Sequence, residues 1–176
     1  MFTKLRSKSR NGQAFVELAL VLPMLVLLLL SMIEVVFIGR AYLALLDSSY
    51  QGAHLGSQGL ILYSNSEVKE VVEQDLTQKG YYTSSLIDVI IVRADLPGGK
   101  TINNYHVYNM MGSGRATVLT QGLLLGRLRA DSPAGQLIAV DIVFDYPLLF
   151  NWPNVAGLLP NPFPLHAYTI QYVARK

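Results

Sequence analysis

The chain has 176 residues, a formal charge of +2 and 51% hydrophobic content, with only 15% of its residues charged. That composition excludes a disordered or collagen-like chain, and the absence of cysteine excludes disulfides, thiolate nucleophiles and thiolate metal sites. The basic balance does not point to nucleic acid, because Lys4, Arg6, Lys8 and Arg10 lie together in the first ten positions as a flank and not a patch.

Behind this flank the chain is apolar. Leu18 to Ile33 holds no charge, and Ala14 to Ile33 is long enough, at about 1.5 Å per helical residue, to span a hydrocarbon core of roughly 30 Å. The run passes into Glu34-Val35-Val36-Phe37-Ile38-Gly39-Arg40 without a small-x-small cleavage site, which disfavours a removable secretory signal. The four basic residues before it place the N-terminus in the cytoplasm and the remainder outside, as a single-pass protein of the inner membrane in contact with lipid.

Glu17 interrupts the simple span. A carboxylate inside a membrane helix is costly and calls for a cationic partner, unless it lies shallow enough to reach the headgroups. Five residues before it stands Gly12, and the stretch Lys8-Ser9-Arg10-Asn11-Gly12-Gln13-Ala14-Phe15-Val16-Glu17-Leu18 resembles the type IV prepilin processing site. The resemblance implies cleavage between Gly12 and Gln13 by prepilin peptidase. Glu17 becomes the fifth residue of the mature chain, where it neutralises the amine of a neighbouring subunit. Better-known pilins begin with an N-methylated phenylalanine, so Gln13 departs from the pattern.

The match narrows with Gly12-Gln13-Ala14-Phe15-Val16-Glu17-Leu18-Ala19-Leu20-Val21-Leu22-Pro23-Met24-Leu25, then Ile33-Glu34 and Gly39-Arg40-Ala41-Tyr42. These residues resemble the TadE-like minor pilins or pseudopilins of the tight-adherence (Flp) pilus system. Membership implies a structural role in a pilus used for adhesion and surface attachment. The implied partners are prepilin peptidase, other pilin and pseudopilin subunits and the assembly platform of the inner membrane. Pro23 removes the hydrogen bond to the Ala19 carbonyl and predicts a helix kink. Loss of the leader takes four basic residues and leaves ten against 12 acidic ones, so +2 becomes −2.

Beyond the span the helix continues, with Val35, Ile38, Tyr42, Leu45 and Leu46 at helical spacing; Gly52, Gly56 and Gly59 mean either close helix contact or fraying, and the helix is expected to give way to a loop by Gly59. Ser64 and Glu67 form a capping box before a short helix bearing Val68, Val71, Val72 and Leu76, which Gly80 closes. Leu86 to Arg93, Leu137 to Tyr146 and Leu165 to Ala174 read as strands. The fold class is α+β: a long transmembrane helix, then a small extracytoplasmic domain with a short helix and a roughly three-stranded antiparallel sheet. The divisions are a leader at 1–12, the long helix at 13–58 and the outer domain at 59–176, with long loops at 94–136 and 147–164. The first loop is the expected partner-facing surface, and the second carries Phe150, Trp152 and Phe163.

No catalytic constellation emerges. His54, His106 and His166 lack metal spacing, no nucleophile elbow, Walker or zincin pattern occurs, and neither a metal nor a cofactor is expected. Asp141 and Asp145 share a strand face and are read as solvated. The expected function is therefore structural and not enzymatic. The alternative is an unprocessed single-pass anchor whose outer domain binds a partner.

Overall fold

The computed structural model describes residues 7–58, 64–81, 86–112, 114–128, 134–150 and 162–174. The chain divides into two units, residues 1–38 and 39–176. The first helix, α1 (Ser7–Gln58), enters both, and each unit is considered by itself.

In the first unit α1 carries an apolar surface that no charged residue interrupts between Leu18 and Ile33. Phe15, Leu20, Met24, Leu28, Met32 and Val36 are all exposed, as are the residues between them with few exceptions. The most apolar window of α1 has a mean hydropathy of 2.7 and none of it is buried, so by length and composition the helix can cross a membrane. Leu, Val and Ile dominate, and Ser31 hides its hydroxyl by donating to the Leu27 carbonyl at 2.8 Å. Pro23 lies inside the helix.

The second unit is an α+β domain built on one antiparallel sheet. Its elements are α2 (Asn65–Gln78), β1 (Ile87–Leu96), β2 (Asn103–Met111), α3 (Gln121–Arg127), β3 (Gly135–Tyr146) and β4 (Phe163–Ala174). The spatial order is β2-β1-β3-β4 with every pair antiparallel, so the sheet has four strands where the sequence indicated about three. The additional strand β2 and the helix α3 both fall within 94–136, which is therefore not the long loop expected. Of the second expected loop, 147–164, residues 151–161 lie outside the described residues, while Phe163 and Pro164 open β4.

One sheet face carries Ile87, Val89 and Ile91 from β1 and Ile138, Val140 and Ile142 from β3, and the 39–58 part of α1 lies on it. Ala41, Leu45, Ser48, Ser49, Gly52, Ala53 and Gly56 make the buried stripe of that helix, at the three- and four-residue steps of a helix face. A Cβ on Gly52 would come within 2.5 Å of Val72 Cγ2, and one on Gly56 would strike Ile138 Cδ1. The two glycines thus mark close helix contact, and α1 ends at Gln58, where the helix was expected to give way. Ser49 Oγ and Thr169 Oγ1, 2.8 Å apart, tie α1 to β4.

The helix α2 packs beside α1 through Val68, Val72 and Leu76. Its capping box is formed: Ser64 Oγ accepts from the Glu67 backbone, and the Glu67 side chain accepts from the Ser64 backbone. At the other end Lys79 bridges Asp47 of α1 and Asp75 of α2. Burial works against the Lys79 charge, but its bonds to the two carboxylates outweigh that and hold its pKa above the ordinary lysine value.

The opposite sheet face is covered too. Ile90, Val92, Ala94, Leu96, Leu137, Ala139 and Val143 form one core with Leu119 and Leu124, supplied by α3 and the segment leading into it. Helices on one side and this segment on the other make the domain three layers deep.

Candidate functional site

The residues singled out near the N-terminus occupy consecutive turns of α1. Beyond the helix's own backbone, no described atom lies within 4 Å of where a Cβ on Gly12 would stand, so packing among the described residues does not require glycine there. Gln13 and Glu17 are exposed and one turn apart, and Gln13 Nε2 donates to Glu17 Oε1 at 3.2 Å. The structure thus brings Gln13 and Glu17 together, with Gly12 on the preceding residue. Pro23 lies six residues beyond Glu17 on the same helix. Glu34 is the other acid of the apolar stretch and is half-buried.

Residues 12–54 match the family model for TadE-like proteins. Over this stretch the chain is similar to TadE-like proteins. The match covers the whole N-terminal constellation from Gly12 through Pro23, Glu34 and Gly52, and ends inside α1. The matched family is that of TadE-like proteins of Tad pilus systems, and the chain's apolar helix is a candidate membrane anchor. No curated protein and no solved structure matches the chain.

In the second unit the sequence concealed a buried polar cluster. Asp88, Asp141 and Asp145 share the sheet face beneath Gly112 and the segment 114–120. Asp88 is 1% exposed and Asp141 is wholly buried, so the expectation of a solvated strand face is corrected for Asp141. The covering segment is fastened by carboxylates. Gly114 N–H donates to Asp88 Oδ1 at 3.1 Å, and Arg115 reaches Asp88 Oδ2 at 3.2 Å and Asp145 Oδ2 at 2.5 Å. Thr117 Oγ1 and the Val118 N–H donate to Asp141 Oδ2 at 2.7 and 3.1 Å. Gly112, at φ +98°, lies so close to the Asp88 carboxylate that no side chain fits there.

Burial pushes the Asp141 carboxyl above the ordinary carboxylate range, against the opposing effect of Thr117, Val118 and nearby His166. Asp141 Oδ1 and His166 Nδ1 are both buried without a hydrogen-bond partner among the described residues. A signal for this cluster existed in the sequence. The supposedly wet face of β3 also carries Leu137, Ala139 and Val143, and Asp88 interrupts a run that is apolar on both faces.

A polar groove of about 290 Å³ opens where β1 and β2 lose register between Arg93 and Asp95. Asn104, at φ +48°, aims its side chain at Asp95 Oδ2 (2.8 Å), Gln136 donates to Asp95 Oδ1 (2.9 Å) and Arg93 Nε donates to Asn65 Oδ1 (2.7 Å). The two bonds to Asp95 brace the bulge, and the Arg93 bond ties β1 to α2. Among the described residues no group of three His, Cys, Asp or Glu is placed to hold a metal ion. His54 stacks on Tyr50, and its Nε2 lies 2.7 Å from Gln58 Nε2.

Proposed function

We propose that this chain is a structural minor pilin or pseudopilin, without enzymatic activity, that takes part in assembly of a Tad (Flp) pilus for adhesion and surface attachment. It is made as a precursor whose basic leader stays in the cytoplasm while the domain beyond α1 lies outside the inner membrane. Prepilin peptidase cuts between Gly12 and Gln13. The α1 segment then packs with other pilin and pseudopilin subunits at the assembly platform, and Glu17 pairs with the freed amine of a neighbour.

The observation that carries this reading is the spacing along one exposed helix: a glycine with open space where a Cβ would stand, a carboxylate five residues later, and an apolar surface left exposed among the described residues. A carboxylate in such a surface is stabilised by a cation from another subunit. Intact mass of the chain extracted from membranes containing active peptidase tests the cleavage. A species beginning at Gln13 supports it, and a full-length chain refutes it in favour of an unprocessed anchor. A methyl at Gly12 meets no described residue, so Gly12→Ala should block cleavage while leaving the outer domain's unfolding transition unchanged. Unaltered cleavage of that variant would also refute the site.

A further inference from the structure

Cleavage after Gly12 leaves a glutamine at the N-terminus, and such a glutamine carries a reaction within itself. Its free α-amine can attack Cδ of its own side-chain amide. The N–Cδ bond forms, the Cδ–Nε2 bond breaks, a proton passes from the attacking nitrogen to the departing one, and ammonia leaves. The product is a neutral five-membered lactam, and no oxidant, reductant or co-reactant is consumed. Two conditions govern closure: the amine must hold an unprotonated lone pair, and the side chain must fold back on its own backbone.

In α1 the Gln13 side chain does the reverse. It extends forward by one turn, and Nε2 donates to Glu17 Oε1 at 3.2 Å. The same carboxylate lies on the helix face of Gln13, four residues on, where it can hold a protonated amine at the chain start as its counter-ion. We propose that Glu17 guards the N-terminus of its own subunit, holding the Gln13 amide extended and the amine protonated, so that the mature chain keeps its cation instead of closing to the lactam. This rests on the reading of cleavage after Gly12.

The charge does most of the work. In apolar surroundings an unpaired ammonium tends to lose its proton, because burial disfavours the charged form, and the neutral amine is the species that cyclises. A carboxylate within about 4–6 Å opposes this by about tenfold or more in the fraction of free amine. A lactam terminus would have no charge left with which to pair a neighbour's Glu17, so the guard preserves the contact on which subunit packing depends.

The test follows intact mass over days near neutral pH for the full chain, matured by the peptidase and held in detergent. Wild type, Glu17→Ala, Glu17→Gln and Gln13→Ala are compared. Glu17→Gln keeps an acceptor for the Gln13 amide but removes the charge, and Gln13→Ala cannot lose ammonia at this position. Wild type should begin at Gln13 and retain its ammonia, while both Glu17 variants lose one ammonia at least about tenfold faster and Gln13→Ala loses none. Equal rates in wild type and both Glu17 variants overturn the proposal, as does a wild-type terminus already closed on isolation. Replacing residues 1–12 by the recognition sequence of a site-specific protease releases the same Gln13 terminus without the peptidase. The comparison is then made even where a Glu17 variant is not matured. A full-length wild-type mass with the peptidase present refutes the cleavage reading alone, and the ammonia rates of the released chains decide the guard alone.

Discussion

Arg115→Ala is the sharpest probe of the domain, because one guanidinium serves two strand carboxylates. It lies 3.2 Å from Asp88, which is 1% exposed, and 2.5 Å from Asp145. Removing one partner of a fully buried ion pair costs about 3–5 kcal/mol, since the remaining charge loses its counter-ion but stays out of water. Here the Arg115 side chain is 27% exposed, and Asp88 keeps the bond from Gly114, so the lower end applies, about 3 kcal/mol. For a domain of this size that lowers the midpoint of thermal unfolding by about 10 °C. The assay is circular dichroism of the detergent-solubilised chain, read in the near ultraviolet so that the apolar part of α1 does not mask the domain. A second substitution identifies the cause. Asp88→Asn on the Arg115→Ala background removes the stranded charge and should recover part of the loss, giving a coupling energy of about 1 kcal/mol or more. A single variant within about 0.5 kcal/mol of wild type, the size typical of an unremarkable surface change, would refute the reasoning. So would a double variant that falls by the plain sum of the two single losses.

Three further perturbations address other parts of the domain. Gly56→Val places methyl groups against Ile138 and should cost about 1–3 kcal/mol in the same melt, whereas Gly39→Val, with nothing within 4 Å, should cost well under half of that. Ser64→Ala removes the cap of α2 and should cost about 1 kcal/mol, measured by chemical denaturation, and no change would mean that the capping box is idle. Asp141 gives a pH dependence whose sign follows from burial. Its folded pKa is raised, so its contribution to stability is fully present below its unfolded pKa and is lost as pH rises through the folded value. Asp141→Asn keeps an acceptor for Thr117 and Val118 and should be at least as stable as wild type near neutral pH, with a flatter profile above the ordinary carboxylate range. Urea midpoints across that range decide it, and a large loss at neutral pH would contradict the sign.

The elements legible from sequence were those with strong periodicity. Ile138, Val140, Ile142, Phe144 and Tyr146 alternate along β3, and Ser64 to Glu67 announces α2, so both stand close to where the pattern put them. The strand β2 was hidden for a physical reason. Asn103-Asn104-Tyr105-His106-Val107-Tyr108-Asn109-Met110-Met111 contains a single β-branched residue, and as an edge strand it is exposed on both faces from 103 to 109 except at half-buried Tyr105. A strand with no buried face imposes no alternation on its sequence. Helix α3 was hidden by its length, seven residues with Gly122 and Gly126 among them, although Thr120 caps it.

The misreading of Asp141 shows how far periodicity can be trusted. Alternation in a strand says which residues share a face, and nothing about whether that face meets water. The second question is answered by the neighbours: Leu137, Ala139 and Val143 on the same face needed an apolar cover, and Leu119 and Leu124 supply it from a segment that has little periodicity of its own. Once covered, a carboxylate on that face must be bonded or neutral. The residues that bond these carboxylates, Thr117 and Val118 for Asp141 and Arg115 for Asp88 and Asp145, lie in the segment that provides the cover. The aspartates and the cover therefore depend on each other. The apolar residues bring the segment onto the sheet, and the carboxylates fix where along the strands it sits, which is why perturbing Arg115 reports on the whole layer and not on one ion pair.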